Sequence, residues 1–339
     1  MRIDKRIRRK ISGIAERVRQ KIALSGSGCL VLLYHRVIDV PLDPQLLSVT
    51  PERFKEQLLY LKKNYRVLTP QEFFEILQTK KAFPPNSSLI TFDDGYEDNV
   101  THALPILEQT GLSALFFVVS GYIGKNREFW WDELERVLLS KEAGGISPTN
   151  SSINIRVPGY PSIQATLDTD TNRHLLYRKM MSFMKILEPA AIEDILDQLA
   201  ASLKVERSCR PTHRPMTVEQ LKRLSASGHA LIGSHTKNHP RIASQTLEIQ
   251  LSEWQSSKEE LESLIGKSVR TASYPFGWRS DCTKKTKKVL QKSGFDFVFA
   301  GYAGKAKSGS DIFELPRLLI RNWTSEELSK ELPSREQQK

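Results

Sequence analysis

The sequence predicts an α/β fold with parallel strands, of the kind found in α/β barrels. Apolar runs of strand length alternate along the chain with helical segments, and most connections between them are short. Polar residues stand directly after several of these apolar runs. In a parallel barrel, the carboxyl ends of the strands share one face, where sites are built. We therefore expect the functional residues to meet on that face.

The composition is that of an ordinary folded protein. The 339 residues are 39% apolar and 26% charged, which is enough for one barrel with an insertion or for two domains. The three cysteines Cys29, Cys209 and Cys282 form no Cys-x-x-Cys pair. This pattern predicts reduced thiols and favours the cytoplasm.

The positive charge is concentrated at the N-terminus. Residues 1–21 carry nine basic and two acidic residues, so they hold +7 of the net charge of +11. Isoleucine and valine recur every three or four positions over residues 2–22, which predicts a basic amphipathic helix. Such a helix suits an anionic membrane surface, although a solvated helix docked on its own domain or on a partner is the alternative.

Neither a secretory signal nor an apolar run of membrane-spanning length is expected. We predict a cytoplasmic protein that is peripheral to the inner face of the membrane. Since residues beyond 21 carry only +4, we do not expect nucleic-acid binding.

The alternation can be followed along most of the chain. The first half is predicted to contain strands at Cys29–Tyr34, Leu89–Phe92 and Ala114–Val119, helix starts at Thr50-Pro51 and Thr69-Pro70, and a helix over 99–109. The second half is predicted to contain helices over 217–227 and 247–265 and strands over 230–234, 269–273, 295–300 and 315–320.

Residues 125–215 interrupt this alternation. They contain a Pro/Ser/Gly-rich stretch over 144–163 and two helical segments over 171–187 and 190–203. We predict a largely helical insertion that covers one rim of the barrel. The domain prediction is a basic helix and linker over 1–28, a barrel over 29–322 and a C-terminal helix and tail over 323–339.

Two adjacent carboxylates end the strand before Gly95. Asp-Asp-Gly alone is usually a turn. However, Asp93 and Asp94 follow a buried strand, where two like charges repel each other unless a cation or a proton compensates them. The pair therefore indicates a site rather than a simple turn.

Two histidines, His235 and His239, follow the strand predicted over 230–234. Their spacing is that of one helical turn, which could aim both rings at one point. Their position between a strand and Pro240 is typical of ligands that a rigid element presents from a loop. Two histidines and one carboxylate suit Zn²⁺ with a fourth position open to water, and the other carboxylate remains free as a base. The same ligand types hold ferrous iron in some oxygenases, but those proteins are usually all-β.

His35, at the end of the first strand, is the candidate general acid. His102 lies on a predicted helix and His229 precedes a strand, so neither has a comparable position. A hydrogen-bonded structural histidine is the alternative for His35.

Two aromatic segments each have two interpretations. Tyr274-Pro275-Phe276-Gly277 is either a turn or a loop whose backbone N–H, such as that of Phe276, binds an oxyanion. Trp130 and Trp131 are either core residues of the insertion or a platform for sugar rings.

These residues resemble the polysaccharide deacetylases of carbohydrate esterase family 4. Thr91-Phe92-Asp93-Asp94-Gly95 is similar to the first motif of the family, and Ser234-His235-Thr236-Lys237-Asn238-His239-Pro240 is similar to the second. The resemblance implies that Asp93 is the base and that Asp94, His235 and His239 bind the metal. It also implies a distorted (β/α) barrel with fewer than eight regular units.

Leu33-Tyr34-His35-Arg36-Val37 resembles the branch whose acid histidine lies on the first strand, as in poly-N-acetylglucosamine deacetylases. The third motif of the family commonly reads Arg-x-Pro-Tyr, and the arginine is absent before Tyr274-Pro275. Arg317, in Leu315-Pro316-Arg317, is the candidate that tunes Asp93 instead.

The resulting hypothesis is a zinc-dependent hydrolase that removes acetyl groups from N-acetylated sugar units. Its substrate would be an oligo- or polysaccharide, or a lipid- or nucleotide-linked precursor for the cell envelope. An inactive carbohydrate-binding protein on the same fold and a nucleic-acid binder are the rival interpretations.

Overall fold

The computed structural model describes residues 20, 22–139 and 152–333. The predicted basic helix over residues 2–22 falls almost entirely outside this part of the chain, so contact with a membrane stays a prediction. None of the helices in the described ranges is long and apolar enough to cross a bilayer.

Strands and helices alternate as the apolar pattern predicts. The strands are β1 (Cys29–Tyr34), β2 (Arg36–Val37), β3 (Ser48–Val49), β4 (Arg66–Val67), β5 (Ser87–Phe92), β6 (Ala114–Val118), β7 (Ser152–Ile155), β8 (Ile163–Thr166), β9 (Ala230–Ser234), β10 (Thr271–Ser273), β11 (Phe297–Phe299), β12 (Lys305–Ala306) and β13 (Leu318–Leu319). The α-helices are α1 (Pro51–Asn64), α2 (Pro70–Gln78), α3 (Leu104–Thr110), α4 (Trp130–Leu139), α5 (Asp170–Met184), α6 (Pro189–Leu203), α7 (Val218–Ala226), α8 (Leu247–Ile265), α9 (Lys284–Lys292) and α10 (Ser325–Glu331).

The main sheet curls into a distorted barrel. Its parallel strands lie in the order β11, β10, β9, β6, β5 and β1, and β12 pairs antiparallel with β1. The segment from Leu315 to Leu319 closes the gap, because Leu315 pairs with Phe299 and β13 pairs in parallel with β1. In the described ranges seven parallel strands follow one another around the barrel, and the two-residue β4 pairs in parallel with the start of β5. This confirms the prediction of a barrel with fewer than eight regular units.

Local sequence explains the strands and the helix starts. Strands β1, β5 and β6 are buried along their whole length, as continuous apolar runs in parallel sheets require. Thr50 and Thr69 cap α1 and α2, each with a proline at the first helical positions. The helix predicted over 99–109 begins with a π-helical turn at Asn99–Ala103 and continues as α3.

The insertion has a hydrophobic core of its own. Helices α4, α5 and α6 bury their apolar faces together with strands β7 and β8, which form a hairpin. The three helices agree with the predicted largely helical insertion, and the hairpin is an addition to it. It forms because Ser152-Ile153-Asn154-Ile155 alternates exposed and buried residues with the period of a strand.

One glycine lets strand β9 approach its neighbours closely enough to present the histidine loop. A Cβ atom on Gly233 would lie 2.6 Å from the ring of Phe117 on β6 and 2.7 Å from the Thr271 Oγ1 on β10. Any larger residue would push β9 outward, so Gly233 fixes the depth from which His235 enters the site.

Candidate active site

The turn after β5 brings both carboxylates to the His235 Nε2, with one oxygen of each at 3.6 Å. Asp94 and Gly95 both have positive φ, at 75° and 90°. A Cβ atom on Gly95 would lie 3.0 Å from Val118 Cγ1, so glycine suits this position for backbone conformation and for space. Both aspartates are 3% exposed and lie at the carboxyl end of the barrel.

The segment that carries the two histidines is a loop. This agrees with the position of the histidines between a strand and Pro240. The helical turn that their spacing alone would allow does not form, because Thr236 and His239 have φ values of 65° and 57°, which a right-handed helix excludes. Glu253 on α8 holds the loop by accepting hydrogen bonds from the backbone N–H groups of Lys237 at 3.0 Å and Asn238 at 2.8 Å. The loop is therefore rigid without being helical.

Three ligand-type atoms converge beside Asp93. The Asp94 Oδ1 lies 3.6 Å from the Nε2 atoms of both His235 and His239. All three side chains are buried, and their ligand atoms lie within 4.8 Å of one another. Zinc ligands at tetrahedral angles are roughly 3.4 Å apart, so this set fits a small divalent cation.

The state of the imidazoles also suits a cation. The His235 Nδ1 lies 2.9 Å from the Ser273 carbonyl oxygen and donates to it, which leaves the Nε2 lone pair facing Asp94. Burial lowers the pKa of both His235 and His239, so both rings are neutral. The Nδ1 of His239 is buried without a hydrogen-bond partner among the described residues.

The Asp93 carboxylate forms an ion pair with Arg317. The Arg317 guanidinium donates two hydrogen bonds of 2.7 Å, one to each Asp93 carboxylate oxygen. Its Nε donates to the Ala300 carbonyl at 2.8 Å, and Arg317 is only 1% exposed. Arg317, which the sequence offered as the candidate that tunes Asp93, is thus the cation that pairs with this carboxylate.

The two neighbouring carboxyl groups have opposite pKa shifts. Burial alone would raise the pKa of Asp93, but the charge and hydrogen bonds of Arg317 hold it well below its usual range. The pKa of Asp94 is raised by burial and then by the charge of Asp93. A metal cation bound to Asp94 would favour its ionised form and so lower its pKa. Asp93 is ionised without a metal ion, because Arg317 compensates its charge.

His35 lines the same cavity as the aspartates. Burial lowers its pKa to about 3, although the charge of Asp93 acts in the opposite direction. The Nδ1 of His35 has no hydrogen-bond partner in the described part of the chain. The ring therefore enters any reaction neutral, and no acidic side chain of the described residues holds its Nδ1.

The loop after β10 forms another wall. Tyr274 and Phe276 line the cavity, and the Tyr274 hydroxyl donates to the Phe313 carbonyl at 3.0 Å. Phe276 has a φ of 62°, and its backbone N–H meets no protein acceptor among the described residues. Pro275 shapes this turn, and its carbonyl accepts a 2.7 Å hydrogen bond from Gly277.

The two tryptophans of the insertion differ in position. Trp131 lines the cavity, and its ring lies 4.3 Å from that of His239, between ring centroids. The Trp131 Nε1 donates to the Tyr96 hydroxyl at 2.8 Å, which in turn donates to Asp132 at 2.7 Å. Trp130 is 1% exposed within the core of the insertion, so it is not placed to stack on a sugar.

A second acidic and histidine cluster lies nearby. Asp132, Glu135 and His213 are buried close together. Arg210 donates to both Glu135 oxygens, at 3.0 and 3.3 Å, and Tyr96 donates to Asp132. These contacts already satisfy the cluster, so we assign it a structural role.

Several contacts had no signal in the sequence. Glu253 lies in the middle of a long helix, and Ser273 ends a short strand, so neither stands out from its neighbours. Tyr96 follows the aspartate pair, but its partner Asp132 comes from the insertion. Only the three-dimensional arrangement brings these residues to the site.

Comparison with known proteins agrees with the site. The sequence pattern of the polysaccharide deacetylase family matches residues 80–144 and 200–298, on either side of the insertion. The chain is 31% identical over 108 residues to YxkH of Bacillus subtilis, which covers 32% of this chain and 37% of YxkH. It is 28% identical over 98 residues to the poly-β-1,6-N-acetyl-D-glucosamine N-deacetylase of Escherichia coli, which covers 29% of this chain and 15% of that enzyme.

The structure of IcaB from Ammonifex degensii superposes with a TM-score of 0.58 at 21% identity, over 90% of this chain and 97% of IcaB. That likeness shows the shared fold. The matching stretches span well under half of the two curated relatives. Taken with the two motifs, the family pattern and the curated relatives show that the chain is similar to the polysaccharide deacetylases in sequence.

The site geometry predicts one zinc ion per chain. Metal-free protein should bind one Zn²⁺ and gain thermal stability, by about 2.7 kcal/mol when free zinc is a hundred times its Kd. The His239→Ala variant should lose both the ion and the gain, because one of three ligands is missing. Calorimetry with elemental analysis would measure both.

His174 is exposed on α5, so His174→Ala is the matched control and should bind zinc as the unmodified protein does. If His239→Ala kept one tightly bound ion and the full gain in stability, the assignment of these ligands would be wrong.

Proposed function

We propose that this protein is a metal-dependent hydrolase that removes acetyl groups from N-acetylated sugar units. The substrate would be an oligo- or polysaccharide or its lipid- or nucleotide-linked precursor. The observation that carries this proposal is the ionised Asp93, which Arg317 holds at 2.7 Å beside a ligand set of Asp94, His235 and His239. A base beside a set of three metal ligands with one open side is the arrangement that hydrolysis of an amide needs.

A divalent cation at the three ligands, Zn²⁺ by their chemistry, would acidify water and polarise the acetyl carbonyl. Asp93 then accepts the proton of the attacking water. Its pKa, lowered by Arg317, makes it a weak base that readily passes the proton on. Asp93 thus accepts the proton, gives it up again, and returns to its ionised form for the next turnover.

The departing amine needs a proton, and His35 is the group we assign to deliver it. The neutral ring of His35 lines the cavity with Asp93, whose charge favours its protonation. A pKa of about 3 means that His35 holds the proton only briefly, between Asp93 and the nitrogen of the substrate. His35 is therefore a relay in this mechanism.

The oxyanion that forms on the acetyl carbonyl needs a donor. The Phe276 backbone N–H has no protein acceptor in the described ranges and belongs to a residue that lines the cavity. Its left-handed conformation is fixed by the turn that Pro275 and Gly277 close. We assign this N–H to the oxyanion, where a fixed donor needs no reorganisation during the reaction.

The cavity suits a sugar with an acetamido group. Its volume is about 280 Å³, and Trp131 and Phe276 give it aromatic walls beside the charged centre. The name of the Escherichia coli relative, a poly-β-1,6-N-acetyl-D-glucosamine N-deacetylase, supports N-acetylglucosamine as the first sugar to test. An inactive sugar-binding protein with the same fold is the alternative, and release of acetate by the protein would exclude it.

The zinc-loaded protein should release acetate from β-1,6-linked N-acetylglucosamine oligomers, and Asp93→Asn should lower kcat by about 10²–10⁴-fold, because the base is lost. Acetate release gives kcat, and elemental analysis checks that the variant retains one zinc. Asp168 is exposed in the insertion, so Asp168→Asn is the control and should keep full activity.

Because Asp93→Asn leaves Arg317 without its ion pair, Arg317→Lys serves as a second variant that keeps the positive charge. We expect an intermediate loss of kcat, since lysine cannot make the bidentate contact. Full turnover by folded, zinc-loaded Asp93→Asn would overturn the assignment of the base.

The role of His35 depends on the leaving group. The His35→Ala variant should lose about 10²-fold or more in turnover of the acetamide substrate, where the amine must be protonated. It should remain within a few-fold of the unmodified enzyme on p-nitrophenyl acetate, whose phenolate leaves without a proton. Equal losses on both substrates, with an unchanged melting temperature, would show that His35 has another role.

A further inference from the structure

Trp278 exposes its ring at the mouth of the catalytic cavity. Its exposed fraction is 60%, and it is one of the residues that line the cavity. Trp130, Trp131 and Trp254 are at most 3% exposed, and Trp323 is half-buried. Trp278 is therefore the tryptophan whose ring is open to solvent, and it lies where a substrate would enter the cavity.

The backbone beneath this ring is firmly held. The Trp278 N–H donates to the Asp281 carboxylate at 2.9 Å, and the Asp281 N–H donates to the Trp278 carbonyl at 2.8 Å. Asp281 is fully buried and forms a 2.7 Å ion pair with Arg241. Arg241 also donates to the Ser280 hydroxyl at 2.8 Å. The exposed ring thus stands on a rigid turn.

The chain reaches this position by a sharp bend that requires a glycine. Gly277 has a φ of 62°, and a Cβ atom there would lie 2.2 Å from the Gly301 nitrogen. The bend follows Phe276, so the residue assigned to the oxyanion and the exposed ring are two positions apart. Their relative placement is fixed by one short loop.

Polar side chains line the same cavity as the ring or follow it in the chain. Arg279 lies 3.8 Å above the Tyr302 ring, measured to the centroid, and Arg321 and Gln45 line the cavity together with Trp278. Neither arginine forms an ion pair with a carboxylate among the described residues, and the Arg321 Nη1 donates to the backbone carbonyls of Gln45, at 2.8 Å, and Leu46. An aromatic face with hydrogen-bond donors around it suits a sugar ring, which has an apolar face and a rim of hydroxyls.

We propose that Trp278 forms a second sugar-binding subsite, which stacks on the sugar unit next to the one that is deacetylated. This inference rests on the proposed function and narrows its substrate class to chains of at least two sugar units. A single N-acetylated sugar would reach the metal centre without touching the ring. Trp278 is thus a positioning residue that favours oligomers over monomers.

The test compares chain lengths. The unmodified enzyme should show a higher kcat/KM on β-1,6-linked N-acetylglucosamine dimers to pentamers than on the monomer. Trp278→Ala should raise KM for the oligomers about three- to tenfold with kcat nearly unchanged, and should leave the monomer unaffected. Trp278→Phe should retain most of the preference, because it keeps an aromatic face.

Tyr160 provides the matched control, since it is an exposed aromatic residue, at 47%, that lies in the insertion away from the cavity lining. Tyr160→Ala should therefore keep the chain-length dependence. Acrylamide quenching gives a second readout that does not need turnover. The pentamer should protect the exposed tryptophan of the unmodified protein from quenching by acrylamide. In Trp278→Phe the pentamer should leave the quenching unchanged, because the exposed tryptophan is absent.

The outcomes separate the two proposals. Acetate release with a chain-length dependence that Trp278→Ala leaves intact would overturn the subsite and keep the deacetylase. Shielding by the pentamer without acetate release from any substrate would keep the subsite and overturn the deacetylase. Shielding by anionic lipid vesicles but not by the pentamer would overturn the subsite, because the ring would then be a membrane contact.

Discussion

The bidentate ion pair between Arg317 and Asp93 is the contact on which the rest of the site depends. The two residues are 224 positions apart, and Arg317 lies in the Leu315–Leu319 segment that closes the barrel between β11 and β1. A buried pair of charges is stable only when its geometry is good and its remaining donors are used. Here the Ala300 carbonyl accepts the remaining Nε donor. The segment that closes the barrel therefore also supplies the cation that keeps the base Asp93 ionised.

That pair also explains why two adjacent carboxylates have different roles. Asp93 faces a fixed cation supplied by the protein, and its pKa is held low. Asp94 faces two neutral imidazoles, and burial together with the charge of Asp93 raises its pKa. Neighbouring groups whose environments push their pKa values apart can serve as base and ligand at the same pH. The left-handed turn at Asp94 and Gly95 makes this separation possible.

Much of the fold was predictable because buried parallel strands are continuous apolar runs, as in Cys29–Tyr34 and Leu89–Phe92. The residues of the site were predictable because carboxylates placed directly after such runs are costly to bury unless a cation or a proton compensates them. The loop at His235 was indicated by its position between a strand and Pro240, but the contact with Glu253 that fixes its conformation was not predictable, because Glu253 lies far along the chain on a helix. The β7–β8 hairpin was hidden by its Pro/Ser/Gly-rich surroundings. Trp278 carried no signal, because exposure is a property of the folded chain.

The central claim is that Arg317 keeps Asp93 off the metal while Asp94 binds it. A crystal structure of the zinc-loaded protein, with the ion located by anomalous scattering at the zinc edge, tests this most directly. The account predicts zinc about 2.0–2.2 Å from Asp94 and from the Nε2 atoms of His235 and His239, with both Asp93 oxygens still on Arg317. Zinc bound by Asp93, with the contact to Arg317 broken, would contradict it.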